Sequence, residues 1–186
     1  MQQAVSSKSS SQSGLLPSLS VNQHKEVDMN ITEVITEEYI CPALVSEDKD
    51  ELFAELVEVL VRARPGLDRE AILKAIRERE VKMSTGIGKG IAIPHGKTNV
   101  VDDLCGVIGI SRKGVEYDAL DGEPVHVVFM LLAPMTSAGR HIKALQKIAN
   151  LMKDRGCYQR LCDAKSSAEV WQIIHADEER LAESGD

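Results

Sequence analysis

The run VHVVFMLLA at 125–133 constrains the fold of this chain more than any other stretch. Its only polar side chain is that of His126, and the rest are β-branched or large and apolar, which suits a strand covered on both faces. Read as a helix, the run falls well short of the roughly 20 apolar residues that cross a bilayer. Two further strands are predicted at 90–93 and 104–111. Between the second and the long run lies DALDGEP at 118–124, whose Asp-Gly and Pro favour turns.

Helical periodicity surrounds these strands. Ser46 with Asp48 offers an N-cap to DELFAELVEVLVRAR, where Phe53, Leu56, Val57 and Leu60 recur at helical spacing. Pro65-Gly66 ends that helix, and Asp68 caps REAILKAIRERE. Its apolar stripe of Ile72 and Ile76 continues at Arg79, a cation at the edge of a buried face. Farther on, HIKALQKIANLMK places His141, Leu145, Ile148 and Met152 on one face, with His141 in the first turn. A last helix is predicted from 166 to about His175, docking through Val170, Trp171 and Ile174. Strands and helices alternate only in part, so the predicted class is α/β with a mixed β-sheet flanked by α-helices.

The 186 residues suit one domain plus a tail. Residues 1–29 are rich in Ser and Gln and are predicted as a flexible tail, 30–177 as the domain and 178–186 as a short C-terminal tail. No signal core precedes the domain, since Leu15-Leu16 is far too short, and a cytoplasmic protein without direct membrane insertion is expected. A net charge of −7 argues against nucleic acid, whose phosphates are held by Lys and Arg, and favours a basic protein partner. Cys41, Cys105, Cys157 and Cys162 form no CxxC pair and, with the histidines, no zinc spacing. They read as structural thiols, and neither metal nor cofactor is expected.

The candidate chemistry lies in GIGKGIAIPHGKT at 86–98. Its Gly-Lys-Thr ending resembles that of a P-loop, but G-x-x-x-x-G-K-[ST] requires a glycine at 91, where Ile91 stands. The intervening IAIP favours extended backbone over a phosphate-cradling nest. The histidine is the alternative focus. Pro94 keeps Ile93 extended and carries the strand to His95, and Gly96 is expected to turn the chain away, leaving an imidazole at a strand end. A neutral imidazole is a nucleophile toward phosphorus; an inert surface histidine is the other reading of the loop alone. His141 fits a ring donor at a helix start where an anion is welcome, or else a border histidine packing on Leu145. Arg79 fits a cation for a phosphoryl group, or one that merely complements its helix dipole. Lys89 and Lys97 add positive potential or are simply solvated.

Three blocks in order carry a family resemblance: STGIGKGIAIPHGK at 84–97, DALDGEPVHVVFMLLAP at 118–134 and HIKAL at 141–145. Together they resemble the enzyme IIA domain of the fructose/mannitol type from the phosphoenolpyruvate-dependent sugar phosphotransferase system, a group that includes nitrogen-regulatory IIA proteins. The resemblance covers about 31–175 and implies a mixed sheet flanked by helices. It implies a protein-histidine phosphotransferase in which the HPr carrier passes a phosphoryl group, derived from phosphoenolpyruvate, to His95. His95 would hand it to an enzyme IIB, or hold it as a state that regulates target proteins. By the same resemblance His141 is a supporting histidine, and Arg79, in RE-x-x-x-ST, is an arginine that helps bind the phosphoryl group. Lys89 departs from the Asn most often expected there. With no span for a IIC component and no room for a IIB domain, a free-standing IIA is expected.

Overall fold

A computed structural model describes residues 29–137 and 139–184. The expected N-terminal tail, 1–29, lies outside the described residues apart from Met29, which is buried. The strands are β1 (Ile40–Cys41), β2 (Gly86–Gly88), β3 (Ile91–Ala92), β4 (His95–Lys97), β5 (Cys105–Val115) and β6 (Val125–Ala133). The helices are α1 (Ile31–Val34), α2 (Lys49–Ala63), α3 (Arg69–Glu80), α4 (Gly139–Leu151), α5 (Arg155–Asp163) and α6 (Ser167–Ser184). No described helix is long and apolar enough to cross a membrane.

The apolar run becomes β6, the centre of the sheet, with every residue buried except the half-buried His126. Its antiparallel partner is β5, through pairs such as Val107 with Met130. On its other side it pairs in parallel with β3 and then β4. The order is β1-β5-β6-β3-β2, with β4 also on β6, and the two pairing senses make the sheet mixed. Ile91 pairs with Val127, and His95 with Leu131, four residues on in both strands, so β3 and β4 follow one line without slipping register. Pro94 occupies the gap. It has no N–H to give the ladder, but its carbonyl accepts from the Leu131 N–H at 2.9 Å.

Asp48 and Asp68 cap α2 and α3 as the sequence predicts: their side chains accept from the N–H groups of Glu51 and Ala71 at 2.9 and 3.0 Å. The buried stripes are Leu52, Phe53, Leu56, Val57 and Leu60 on α2, and Ile72, Leu73, Ile76 and Glu80 on α3.

Several elements differ from the sequence reading. β5 runs past Ser111 to Val115 through an irregularity between Ile110 and Val115, where Gly114 takes a positive φ and Arg112 and Lys113 stay exposed. α5 has no counterpart in the reading. Asp154 caps it by accepting from the Gly156 N–H at 2.7 Å, and Cys157 and Leu161 are its buried anchors. The last helix does not stop near His175 but continues to Ser184, so the tail expected from residue 178 begins inside it. The reason is Glu178, only 1% exposed, whose carboxylate accepts from the backbone N–H groups of Ile31 and Thr32 and from the Thr32 hydroxyl. It closes the N-terminus of α1, where unpaired N–H groups favour a negative charge.

Candidate functional site

β4 and its surroundings bring together the three residues singled out in the sequence. His95 opens β4, Arg79 stands in the last turn of α3, and His141 in the first turn of α4. The Arg79 Nε–H donates to His95 Nε2 at 3.1 Å. The rings of His95 and His141 have centroids 5.2 Å apart and are tilted by 53°.

The protonation of His95 follows from its partners. Nδ1 lies 2.7 Å from the Ile93 carbonyl oxygen, which can only accept, so Nδ1 carries the proton. Nε2 faces a guanidinium, which can only donate, so Nε2 holds the lone pair. Two independent neighbours therefore impose one tautomer. Burial lowers the pKa of His95 and the Arg79 charge lowers it further, while the Ile93 carbonyl and Glu80 act in the opposite sense. The ring is a neutral imidazole at physiological pH with its free electron pair at Nε2.

His141 is 6% exposed, and its Nδ1 has no hydrogen-bond partner among the described residues. Burial comes first, then His95 in its protonated form and the charges of Lys97 and Arg79; together they push its pKa down to about 4, so it too is neutral near pH 7. Lys97, two residues beyond His95 on β4, projects from the same face of the strand. Arg79 also donates through Nη1 to the Met83 carbonyl at 3.0 Å, which ties the guanidinium to the turn after α3.

Gly96 does not turn the chain away as expected. It continues β4, paired with Leu132, and a Cβ there would lie 3.0 Å from the carbonyl carbon and oxygen of Ala75. Its missing side chain lets α3 approach the strand, which sets Arg79 beside His95. The glycines before His95 serve a similar purpose: Gly86 packs on Ala119, Gly88 on Asp121 and Gly90 on the Tyr158 hydroxyl. They make room for the chain itself. Lys89 and Gly90, with φ of 58° and 79°, form the two-residue turn of the β2–β3 hairpin, the conformation for which Asn-Gly is favoured. The Asn expected at 89 thus has a backbone reason, and here the Lys89 N–H is held instead by Asp121 Oδ2 at 2.6 Å.

The block at 118–124 lies directly against that hairpin. The Ser84 hydroxyl donates to the Asp118 carbonyl at 2.8 Å, and the Leu120 N–H to the Gly86 carbonyl at 2.9 Å. Sequence reasoning missed Glu80, Thr85 and Tyr117, which form a buried hydrogen-bonded group under the hairpin. One signal was available: position 80 follows Ile76 by four residues, so its carboxylate lies on the core-facing stripe and needs a partner. Apolar side chains are exposed along the same segments. Val81 and Met83 follow Arg79, Ile87 lies on β2, Met135 follows β6 and Ile142 follows His141.

The family profile "Phosphoenolpyruvate-dependent sugar phosphotransferase system, EIIA 2" matches residues 33–177. A fructose-specific EIIABC component from Bacillus subtilis is 39% identical over 147 residues, 79% of this chain but 23% of that protein. The crystal structure of the nitrogen regulatory protein IIA-Ntr from Neisseria meningitidis is similar with a TM-score of 0.72 and 32% identity, covering 77% of this chain and 98% of that one. The IIA mannitol enzyme in its complex with phosphorylated IIB from Escherichia coli shares the fold, with a TM-score of 0.65 and 23% identity over 76% of this chain and 97% of its own.

Proposed function

The chain belongs to the EIIA type 2 family of the phosphoenolpyruvate-dependent sugar phosphotransferase system, and from that premise we propose that His95 is its phosphoacceptor, charged by an HPr-type carrier and discharged to a IIB partner. The observation that carries this reading is the enforced tautomer, with Nδ1–H held by Ile93 and the Nε2 lone pair directed at Arg79. In the transfer, Arg79 releases Nε2 and turns its N–H groups to the phosphoryl oxygens. The Nε2 pair then forms a bond to phosphorus as the N–P bond of the donor phosphohistidine breaks, its electron pair returning to the donor ring. The proton stays on Nδ1 against the Ile93 carbonyl, and the positive charge gained by the ring faces the phosphoryl dianion. Phosphoryl transfer asks mainly for positioning and charge stabilisation, and Arg79, Lys97 and a ring N–H of His141 are suited to both.

The exposed apolar residues Val81, Met83, Ile87, Met135 and Ile142 support a protein donor rather than a small one, because exposed apolar groups on the segments that carry the site suit a docked protein surface. We place the relay in the cytoplasm, where phosphoenolpyruvate is made. A second reading, in which the phosphorylation state of His95 controls target proteins, is favoured by the similarity to a nitrogen-regulatory IIA over 98% of that chain.

Incubation with phosphoenolpyruvate, enzyme I and HPr tests the assignment. An acid-labile, base-stable phosphate is expected on the wild type and none on His95→Ala; label persisting on His95→Ala would refute it. His141→Ala is expected to transfer more slowly yet still accept the group. A pull-down under phosphorylating conditions, wild type against His95→Ala, separates a IIB partner from regulated targets.

A further inference from the structure

A buried polar chain behind the His95–Arg79 pair has no part in the transfer just described. Glu80, the residue after Arg79, is 9% exposed, and its carboxylate accepts from the Thr85 N–H at 3.1 and 3.2 Å and from the Thr85 hydroxyl. Lys49 Nζ lies 3.3 Å from Glu80 Oε1 and supplies the countercharge that a buried carboxylate needs. Because the single hydroxyl proton of Thr85 goes to the carboxylate, Tyr117 is the donor in the 2.7 Å contact between the two hydroxyls. Thr85 is therefore held at its N–H and on both sides of its hydroxyl.

Its carbonyl continues the chain. The Ile93 N–H donates to the Thr85 carbonyl at 3.0 Å, and the Ile93 carbonyl accepts the Nδ1–H of His95 at 2.7 Å. Ile93 lies in the gap between β3 and β4, next to Pro94, and its N–H bonds Thr85 rather than β6. The carbonyl that fixes the His95 tautomer is thus anchored through Thr85.

We propose that Glu80 and Thr85 are positioning residues for His95, holding Ile93 so that its carbonyl selects the Nδ1–H tautomer and leaves Nε2 as the nucleophile. This role deepens the reading of His95 as the phosphoacceptor and rests on it for its kinetic consequence, whereas the tautomer is a property of the unphosphorylated chain. When Thr85 loses its hydroxyl, Glu80 and Tyr117 lose their shared partner and Ile93 is less firmly held; Arg79 alone then opposes the Nε2–H tautomer, which becomes populated with its lone pair on the wrong nitrogen.

The test uses the full chain as wild type, Thr85→Val, Thr85→Ser and Glu80→Gln. The imidazole nitrogen shifts of His95 are read by NMR without phosphate, and the transfer rate from phosphorylated HPr is resolved into kcat and KM. Thr85→Val is expected to mix the tautomers and lower kcat about tenfold or more with KM within about twofold, since small misplacements of a reacting group cost that much. Thr85→Ser restores both the tautomer and the rate. Glu80→Gln falls between them, and decides the matter if Thr85→Val does not fold. A folded Thr85→Val or Glu80→Gln with the wild-type tautomer overturns the proposal, even where stability or rate has dropped. If the wild type takes no phosphate from HPr while Thr85→Val still mixes the tautomers, the functional reading fails and the positioning role stands.

Discussion

Replacing Gly96 by alanine tests how closely α3 governs the reacting centre. The new Cβ would stand 3.0 Å from the Ala75 carbonyl and 3.2 Å from the Ile76 nitrogen, both backbone atoms of a helix interior. A retreat of about 0.4 Å is needed to reach ordinary contact. No side chain can rotate out of the way, and α3 is pinned by the fully buried Ile72 and Ile76, so the helix moves as a unit. Overpacking of this kind costs about 1–3 kcal/mol, which lowers Tm by about 2–4 °C per kcal/mol in a chain of this size. Arg79 lies one turn beyond Ala75 on the same face and follows the shift, taking its 3.1 Å bond to His95 toward 3.5 Å, where hydrogen bonds weaken steeply. The same displacement draws Arg79 away from the phosphoryl oxygens it turns to in the transfer, and because a hydrogen bond to a charged group contributes about 1.5–3 kcal/mol, losing that contact should slow transfer by roughly tenfold to a hundredfold. Rapid-quench transfer from phosphorylated HPr, alongside thermal melting, measures both effects. Gly139→Ala is the melting control, because among the described residues beyond its own helix backbone and chain neighbours none lies within 4 Å of its Cβ position. A Gly96→Ala protein melting within about 1 °C of wild type and transferring within about twofold of its rate would refute the idea that helix and strand are this tightly coupled.

Three other outcomes are expected. Lys89→Asn should raise stability by about 1 kcal/mol, since a left-handed conformation costs a long side chain roughly that much while Asn tolerates it; a lower Tm would contradict the turn argument. His141 should titrate near its shifted value of about 4 rather than 6.5, and phosphorylation of His95 should move its NMR midpoint upward as a negative group arrives. Because its folded pKa is depressed, the unfolded chain binds more protons between these values, and stability falls as pH drops from about 6.5 through about 4. Glu178→Ala should cost about 2 kcal/mol or more by leaving the N–H groups of Ile31 and Thr32 unpaired, visible in denaturant melts, while the rate of phosphoryl acceptance stays at wild-type level.

Long periodic segments were the most legible part of this chain. α2 and α3 begin at the capping residues the sequence offers, and β6 spans the apolar run that opened the reading. The two- and three-residue strands β1, β2 and β4 were not separable, because alternation over so few residues carries no period; pairing with β5, β3 and β6 respectively defines them. The end of α6 was missed for a different reason. Its acidic stretch at 177–179 reads as solvated, yet Asp177 and Glu178 are buried, the first against Arg160 and Arg180 and the second against α1. At the site, family resemblance rather than spacing grouped His95, His141 and Arg79, since they lie on three elements with no fixed interval. Glu80 and Thr85 escaped because a buried carboxylate shows in sequence only when its helical face is traced one turn farther.

The clasp between Glu178 and the start of α1 also determines where a mechanical load would run. A pull on the chain ahead of Ile31 meets the Asn30 side chain, which accepts from Lys147 of α4 at 2.8 Å, and then the Glu178 carboxylate of α6, a helix of 18 residues. The β4–β6 ladder carrying His95 is reached only after those contacts give way. Tension applied at the start of the domain would therefore be borne by the Asn30–Lys147 bond and the Glu178 carboxylate at its edge, and the imidazole of His95 would keep its place while the edge is strained.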